Sequence, residues 1–328
     1  MVEKLVMLIS SIFFAVLPVV AYLVILWRLD KYDREPIKLL LLHFLWGMIG
    51  AVLISIFFSL QINKLFNAVI YDKFLIELAA TVFTAPVIEE AAKGFFLILT
   101  VSKRKFDNLT DGIVYGGAIG LGFGLTENFL YFLYSTSNFD DLIHLAFIRN
   151  IFSVSVHFIS TSTFGCFLAL SKFKPIKKKI FYMIAGYLIS VFIHAFWNFT
   201  ATFSWTFIFG LIFVLVSLTL IYSLLQLSLS FEKNIIAYEM NDEIINGRLK
   251  PDFASIISEY KLRNTKGWIK EDLRKDYINF ATTLAFRKNQ LRNISSDKLR
   301  SSYESEIKQL REKLQQLELE SEGLLYSE

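Results

Sequence analysis

The sequence contains little cysteine, little proline and, over its first two-thirds, little charge. Cys166 is the single cysteine among 328 residues, which excludes an internal disulfide and a thiolate metal cluster. Five prolines beside 33 phenylalanines exclude a disordered chain. Residues 1–230 contain 17 Lys and Arg and 13 Asp and Glu, whereas residues 231–328 contain 17 of each. The basic residues do not cluster with interleaved aromatic residues, so no nucleic-acid partner is expected.

Long apolar stretches dominate the first two-thirds of the chain. Hydrophobic residues make up 54% of the sequence, and the mean hydropathy of +0.48 is too high for an ordinary soluble domain. A helix needs about 20 mostly apolar residues to span a bilayer. The sequence therefore predicts an all-α polytopic membrane domain at 1–230, followed by a soluble, charged helical domain at 231–328. Seven stretches qualify as spans: 5–27, 37–60, 75–101, 112–134, 148–171, 180–202 and 204–229.

Lysine and arginine in the connecting loops predict the orientation of these spans. The loops after spans 1, 3 and 5 are rich in basic residues, whereas the loops after spans 4 and 6 have none. Because cytoplasmic loops carry the excess of positive charge, we expect the N-terminus outside and the domain at 231–328 in the cytosol. The basic residues are Arg28, Lys31, Arg34 and Lys38 in loop 1, Lys103, Arg104 and Lys105 in loop 3, and Lys172, Lys174, Lys177, Lys178 and Lys179 in loop 5.

The C-terminal domain reads as several helices separated by two breaks. Asn246-Gly247 predicts a turn before a helix that begins at Pro251, and 264–267 predicts a second break. A 4-3 spacing of apolar residues indicates a short helical seam within 297–324. The seam either packs inside its own domain or joins a second copy or a cytosolic partner. Its residues are Tyr303, Ile307, Leu310, Leu314 and Leu317.

Ionisable residues inside four consecutive spans are the strongest functional signal. An ionisable side chain within a bilayer is costly, so its presence needs a partner or a function. The centres of spans 1, 2 and 7 contain nothing comparable. The polar residues are Glu89, Glu90 and Lys93 in span 3, Glu127 and Asn128 in span 4, Arg149, Asn150 and His157 in span 5, and His194 and Asn198 in span 6.

Helical spacing gathers these groups onto particular faces. Glu89 and Lys93 are four residues apart and share a face, whereas Glu90 is rotated by about 100° toward another neighbour. Pro86 lacks an N–H and predicts a kink just before them. Residues spaced by four also form stripes along three helices. The glycine stripe of span 4 predicts close packing against another helix. The polar groups of spans 3 to 6 predict one cavity that opens outward. The stripes are Gly116, Gly120, Gly124 and Asn128 in span 4, Arg149, Ser153, His157 and Ser160 or Thr161 in span 5, and Gly186, Ser190, His194 and Asn198 in span 6.

Three of these segments resemble motifs of the PrsW family of intramembrane proteases. The segment Glu89-Glu90-Ala91-Ala92-Lys93 resembles the EExxK motif. Residues 123–128, FGLTEN, are similar to FxxxEN, and residues 194–198, HAFWN, are similar to HxxxN/D. The run 33–36, DREP, also looks like a recurrent feature of the family. The resemblance covers roughly residues 1–225 and extends to a wider superfamily with CAAX prenyl endopeptidases and bacteriocin-immunity proteins.

The resemblance implies an intramembrane endopeptidase in a bacterial cytoplasmic membrane. The best-known members of the family cut the extracytoplasmic part of a membrane-anchored anti-sigma factor. For this chain the resemblance therefore implies site-1-type cleavage of a membrane-anchored, anti-sigma-factor-like substrate as part of signalling.

Our hypothesis from the sequence is hydrolysis by a glutamate-activated water. Glu89 is the first choice as general base and Glu90 the second, with Glu127 positioning the water. His194 and Asn198 would stabilise the oxyanion, with Lys93 and Asn128 in support. A bound metal such as zinc stays open, and its candidate ligands are Glu90, Glu127, His157 and His194.

Two other function classes fit intramembrane charges. A proton- or ion-coupled transporter also uses buried Glu, Lys and His residues, although the seven spans show no internal repeat. A catalytically silent membrane scaffold would keep the polar residues only for helix packing. Substrate cleavage measured against ion flux would separate these classes.

Overall fold

The computed structural model describes residues 2–103, 106, 108–292 and 297–323, and within these ranges the regular structure is helical, with no strand. Arg104 and Lys105 of the basic third loop lie outside the described residues. The described chain forms two compact units. The first contains 2–29 and 35–225, and the second contains 30–34 and 226–328. The predicted boundary at residue 230 lies close to the observed one, but the sequence did not place 30–34 with the second unit.

The helices of the first unit coincide largely with the seven predicted apolar stretches. Three of these stretches contain a single π-helical turn, at Trp46–Ala51, Ala80–Thr84 and Arg149–Ser153. Such turns add one residue to the helical repeat and re-aim the side chains that follow. The helices are α1 (Val2–Leu29), α2 (Ile37–Leu45), α3 (Val52–Val69), α4 (Lys73–Ala79), α5 (Ala85–Val101), α6 (Leu109–Ser135), α7 (Phe139–Ile148), α8 (Val154–Ser171), α9 (Ile176–Thr202) and α10 (Phe207–Ile245), of which the residues of α10 from 226 onward belong to the second unit.

Five helical stretches are long and apolar enough to cross a membrane: Glu3–Leu29, Ile37–Val69, Phe139–Ser171, Ile176–Thr202 and Phe207–Ile245. The stretch 73–101 and α6 are not among them. The first carries Glu89, Glu90 and Lys93, and α6 is rich in glycine. Large apolar side chains are exposed along the outer faces of the five stretches. Such surfaces suit contact with lipid, and we conclude that this is a multi-pass membrane protein.

Helix α6 lies against α8 at very short range because glycines face it. A Cβ at Gly112 would lie 2.5 Å from the carbonyl oxygen of Gly165, and a Cβ at Gly120 would lie 2.2 Å from that of His157. Gly116 makes a similar approach to Thr161. The predicted packing role of this stripe is therefore confirmed at Gly116 and Gly120. It fixes the height of His157 relative to the residues of α6.

The second unit has its own hydrophobic core. Both predicted breaks are present, with φ of 65° at Gly247 and 94° at Gly267, and α11 begins at Pro251. The seam residues Tyr303, Ile307, Leu310 and Leu314 are buried in this unit, as the intradomain interpretation requires. Residue 324 lies outside the described chain. The further helices are α11 (Pro251–Ala254), α12 (Tyr260–Arg263), α13 (Glu271–Leu291) and α14 (Asp297–Ser321).

Candidate active site

Glu90 is a fully buried carboxylate enclosed by hydrogen-bond donors. Lys93 Nζ lies 2.6 Å from its Oε1, and His194 Nδ1 lies 3.0 Å from the same oxygen. Three hydroxyls also donate to this carboxylate: Ser160 at 3.0 Å, Thr161 at 3.3 Å and Ser190 at 2.7 Å. A carboxylate has about four lone-pair positions, so with all these donors Glu90 has no capacity left for a further partner.

Glu89, one residue earlier, is in the opposite situation. Its buried Oε2 has no hydrogen-bond partner among the described residues. The nearest cationic nitrogen, Lys93 Nζ, is 3.8 Å away, and His194 Nε2 is also 3.8 Å away. An unpaired buried carboxylate oxygen is costly and rare in folded proteins. Glu89 therefore marks a position where a ligand or reactant is expected.

The helix that carries both glutamates is shaped by the second π-turn. Ala85 N–H bonds to the carbonyl of Ala80, and Pro86 follows in the first turn of α5, where its missing N–H is harmless. The helix is thus irregular just before the two glutamates, and a kink at this point stays a prediction. Asn198 Nδ2 donates to the carbonyl of Thr81 at 2.9 Å and so ties α9 to the π-turn.

His157 joins Lys93 to Glu127. Lys93 Nζ donates to its Nδ1 at 3.0 Å, so the ring proton is on Nε2, which donates to Glu127 Oε2 at 2.6 Å. His194 has the other tautomer. Because the Glu90 carboxylate can only accept, His194 Nδ1 donates and Nε2 keeps its lone pair in the neutral ring. The two imidazoles meet edge to face, 4.9 Å apart.

Glu127 is also held by Arg149, whose Nη2 lies 2.8 Å from the same Oε2. The guanidinium stacks on Tyr131, 3.7 Å from the ring centroid, and its Nε donates to Asn128 Oδ1 at 2.9 Å. The sequence placed Arg149 on the polar stripe of span 5, and the structure places it in the site, at the first residue of the third π-turn.

A cavity of about 500 Å³ opens onto these residues. Of the predicted site residues, Glu89, Glu127, His157 and Asn198 line it, whereas Glu90, Lys93, Asn128 and His194 stand behind its wall. The wall contains further side chains that the sequence analysis did not assign to the site: Ser59, Asn63, Thr81, Thr84, Tyr131, Arg149, Trp197 and Thr202. Only the spacing-four stripes of spans 5 and 6 could have indicated the hydroxyls around Glu90.

Three residues could hold a metal ion. One ligand atom each from Glu89, His157 and His194 lies within 4.8 Å of the others. Two histidines and a glutamate form a ligand set used by catalytic zinc, which keeps a fourth position open. The unpaired Oε2 of Glu89 and the free lone pair of His194 fit this group, and the Glu90 carboxylate orients His194 from behind. His157 would bind through Nε2 only if the Nε2 proton were lost to solvent through the cavity, because in the structure Nε2 donates to Glu127 and Nδ1 accepts from Lys93.

The sequence matches the PrsW family, described as intramembrane metalloproteases, over residues 35–224. It is 33% identical to Protease PrsW of Oceanobacillus iheyensis over 183 residues, which are 56% of this chain and 78% of that protein. It is 29% identical to Protease PrsW of Geobacillus kaustophilus over 62% of this chain and 85% of that protein. With Protease PrsW of Bacillus subtilis the identity is 26%, over 56% of this chain and 79% of the relative.

No solved structure matches the chain. The family match covers more than half of the chain and contains all the polar residues of spans 3 to 6. It favours a hydrolase over the transporter and the silent scaffold. The chain belongs to the PrsW family of intramembrane metalloproteases and is a membrane peptidase.

Proposed function

We propose that the chain cuts a membrane-anchored protein by metal-assisted hydrolysis, with Glu89, His157 and His194 as ligands and Glu127 as general base. The observation that carries this proposal is the unpaired Oε2 of Glu89 beside two histidines at the wall of the cavity. This division of roles departs from the sequence hypothesis, in which Glu89 was the base.

Glu90 is a poor candidate for base or ligand. Each of its oxygens already accepts hydrogen bonds, and a base must have a lone pair directed at the reacting water. Its contacts fit an orienting role, since it fixes the His194 ring and neutralises Lys93.

Formal charges at the site support a bound cation. Glu89, Glu90 and Glu127 carry three negative charges when ionised, and Lys93 and Arg149 supply two positive charges. Buried charges are normally paired. One excess negative charge in the interior of a membrane protein therefore favours a cation.

The metal would polarise the substrate carbonyl and make a water nucleophilic at neutral pH. Glu127 lines the same cavity as Glu89 and His157 and can accept the proton of the attacking water. Asn198 uses one amide hydrogen on Thr81, and the other is left to bind a substrate carbonyl.

The substrate and orientation follow from charge and family. Seven spans, with the N-terminus outside and 231–328 in the cytosol, would put the cavity toward the outer side of a bacterial cytoplasmic membrane. A substrate cut there is a membrane-anchored protein with an extracytoplasmic segment, which corresponds to site-1-type cleavage of an anti-sigma-factor-like protein. The transporter lacks a specific observation in its favour.

The experiment compares Glu89→Gln with Glu127→Gln in detergent-purified protein. Cleavage is followed by mass spectrometry on a panel of synthetic single-span peptides, each with a leucine-rich membrane segment and a variable outer flank. Zinc affinity is measured by calorimetric titration on the same samples. Both variants are expected to lose cleavage by at least about 100-fold, but only Glu89→Gln is expected to lose zinc affinity.

The opposite pattern would contradict the assignment of roles. If Glu89→Gln bound zinc like the wild type while Glu127→Gln did not, Glu127 would be the ligand and Glu89 the base. If a chelator left wild-type cleavage unchanged, the metal mechanism would be wrong.

A further inference from the structure

Arg149 is the cation at the cavity wall, and three contacts hold it in one position. Its guanidinium stacks on Tyr131, its Nε donates to Asn128 and its Nη2 faces Glu127. Its side chain is 12% exposed, whereas that of Lys93 is 0% exposed. The Nη2 contact with Glu127 is an ion pair without hydrogen-bond geometry. The guanidinium is therefore fixed by its Nε hydrogen bond, by stacking on Tyr131 and by charge attraction, and it has little freedom to move toward a substrate.

Asn128 is the residue that sets this position. Its Oδ1 accepts from Arg149 Nε at 2.9 Å, and its Nδ2 donates to Asn150 Oδ1 at 3.0 Å. Arg149 and Asn150 are consecutive in the chain, and both lie in the third π-turn. The Asn128 amide therefore contacts both residues at once.

The chain of contacts continues to α1. Asn150 Nδ2 donates to the carbonyl of Phe14 at 2.9 Å, which anchors the π-turn on the opposite side from the cavity. A continuous path thus leads from the α1 backbone through two amides and one guanidinium to Glu127 Oε2. The carboxylate at the end of this path also contacts His157 at 2.6 Å.

We propose that Arg149, set in place by Asn128 and Asn150, is a positioning residue that aims the Glu127 carboxylate at the reacting water. The proposal rests on the role of Glu127 given above. A base works only within hydrogen-bond reach of the proton it accepts, and a displacement of about 1 Å costs roughly 100-fold in rate. Without Arg149, Glu127 loses the ion pair at its Oε2.

A positioning role and direct substrate binding differ in measurable ways. If Arg149 acts through Glu127, its removal lowers kcat and leaves KM nearly unchanged. Its removal also has no further effect once Glu127 can no longer act as base. If Arg149 binds substrate, its removal raises KM, and the losses of activity caused by the Arg149 and Glu127 substitutions multiply in the double variant.

The experiment is a double-mutant cycle of Arg149→Gln and Glu127→Gln, with Arg149→Lys as a milder variant. Cleavage uses the first single-span peptide of the panel that the wild type cuts, and zinc affinity is titrated on each variant. Arg149→Gln is expected to lower kcat by about 100-fold, with zinc affinity within about threefold of the wild type. In the Glu127→Gln background it is expected to change kcat by less than about twofold.

The matched control is Arg300→Gln, which breaks an exposed arginine–glutamate pair with Glu304 in the second unit. It is expected to leave kcat, KM and zinc affinity unchanged. Folding of every variant is checked by labelling of the buried Cys166 with a thiol dye. Should Arg149→Gln not fold, Arg149→Lys supports the proposal if kcat falls at constant KM.

Two results would overturn the inference without touching the proposed function. One is wild-type kcat in a folded Arg149→Gln protein. The other is a multiplied loss in the double variant together with a raised KM. Failure of the proposed function would be recognised separately, because the Glu127→Gln single variant would then keep full cleavage activity.

Discussion

Each of the two units buries a lysine among carboxylates, and the two clusters are balanced differently. In the second unit, Lys288 lies 3.2 Å from Glu239 and 2.7 Å from Asp242, and it also bonds to Glu243. Arg248, Arg292 and Arg311 join them, so four cations serve three carboxylates. In the first unit, only Lys93 and Arg149 serve three glutamates.

The difference separates a stabilising network from a reactive one. Burial alone would lower the pKa of Lys288, but its hydrogen bonds to Asp242 and Glu243 outweigh burial and raise it. Every charge in that cluster has an opposite charge in contact.

In the first unit Glu90 is held by hydrogen bonds, whereas Glu89 Oε2 has no hydrogen-bond partner among the described residues. Glu239 in the second cluster also has oxygens without a hydrogen bond, but they lie 2.6 to 3.2 Å from Arg292 and Lys288. Glu89 Oε2 is 3.8 Å from the nearest cation, and Glu89 lines the cavity.

The largest test of this contrast is Glu90→Gln. The change leaves the fully buried Lys93 without its 2.6 Å counter-ion, and breaking a buried pair costs about 3 to 5 kcal/mol. Thermal exposure of Cys166 to a thiol dye reports unfolding of the first unit, because this residue is the single cysteine and is buried.

The control for this change is Glu89→Gln, one residue away on the same helix. Glu89 Oε2 has no hydrogen bond to lose among the described residues. The unfolding temperature of the Glu89→Gln variant is therefore expected to match or exceed that of the wild type. Equal destabilisation by the two variants would remove the contrast between the neighbouring glutamates.

Glu243→Gln tests the balanced cluster. Glu243 accepts two 2.8 Å hydrogen bonds from Arg311 and one from Lys288. Two of its partners, Arg248 and Arg311, are partly exposed, so we expect a loss of about 2 kcal/mol in the second unit rather than the full cost of a buried pair. Hydrogen exchange of peptides from α13 in the full-length protein measures it. Glu304→Gln, in an exposed pair, is the control, and an equal effect there would argue against a special role for Glu243.

Gly120→Ala tests how the unbalanced cluster is held in register. A Cβ there would lie 2.2 Å from the His157 carbonyl oxygen, whereas a Cβ at Gly124 would meet its nearest atom, His157 Cδ2, at 3.3 Å. Gly120→Ala is expected to cost about 1 to 3 kcal/mol by overpacking and to lower cleavage. Gly124→Ala is expected to cost less. Cys166 labelling and peptide cleavage check both, and a harmless Gly120→Ala would show that α8 can move freely.

The smallest expected effect is a pH-dependent one in the second unit. Burial raises the pKa of Glu318, although hydrogen bonds from Tyr277 and from the Lys250 backbone lower it in part. The ionised form is therefore disfavoured in the folded state, and this penalty appears as pH rises above the unfolded value of about 4.3. Glu318→Gln should gain up to about 1 kcal/mol at pH 7 and nothing at pH 4. Hydrogen exchange of α13 peptides at both pH values measures the change in stability. A lower stability of Glu318→Gln than of the wild type at pH 7 would contradict the prediction.

Hydropathy predicted the helices of the first unit well, because each of these helices is apolar along its length, on the faces that pack inside the unit and on the faces that are exposed. The polar residues of spans 3 to 6 were also identifiable, since charges in such stretches are conspicuous. The difference in hydrogen bonding between Glu89 and Glu90 was not predictable. It depends on Ser160, Ser190 and His194, which come from two helices far along the chain.

The π-turns were equally hidden from the sequence. A π-turn differs from α-helix by one inserted residue, and Arg149–Ser153 has no composition that announces it. The polar stripe of span 5 indicated that Arg149 faces the cavity, but its contacts with Glu127, Asn128 and Tyr131 could not be deduced. In the second unit the turns at Gly247 and Gly267 were predictable from local chemistry. The inclusion of 30–34 was not, because it depends on long-range contacts such as that of Tyr32 with Arg263.

The enclosure of Glu90 has a consequence for biosynthesis. A charged residue at the centre of a helix opposes insertion by about 2.5 to 3.5 kcal/mol, and α5 carries three of them. Their partners, His157 on α8 and His194 on α9, are separated from α5 by 64 and 104 residues. When α5 emerges from the ribosome, those partners have not been synthesised. The stretch 73–101 is therefore expected to remain at the insertion machinery until α8 and α9 arrive, so that the protease motif is among the last parts of the unit to enter lipid.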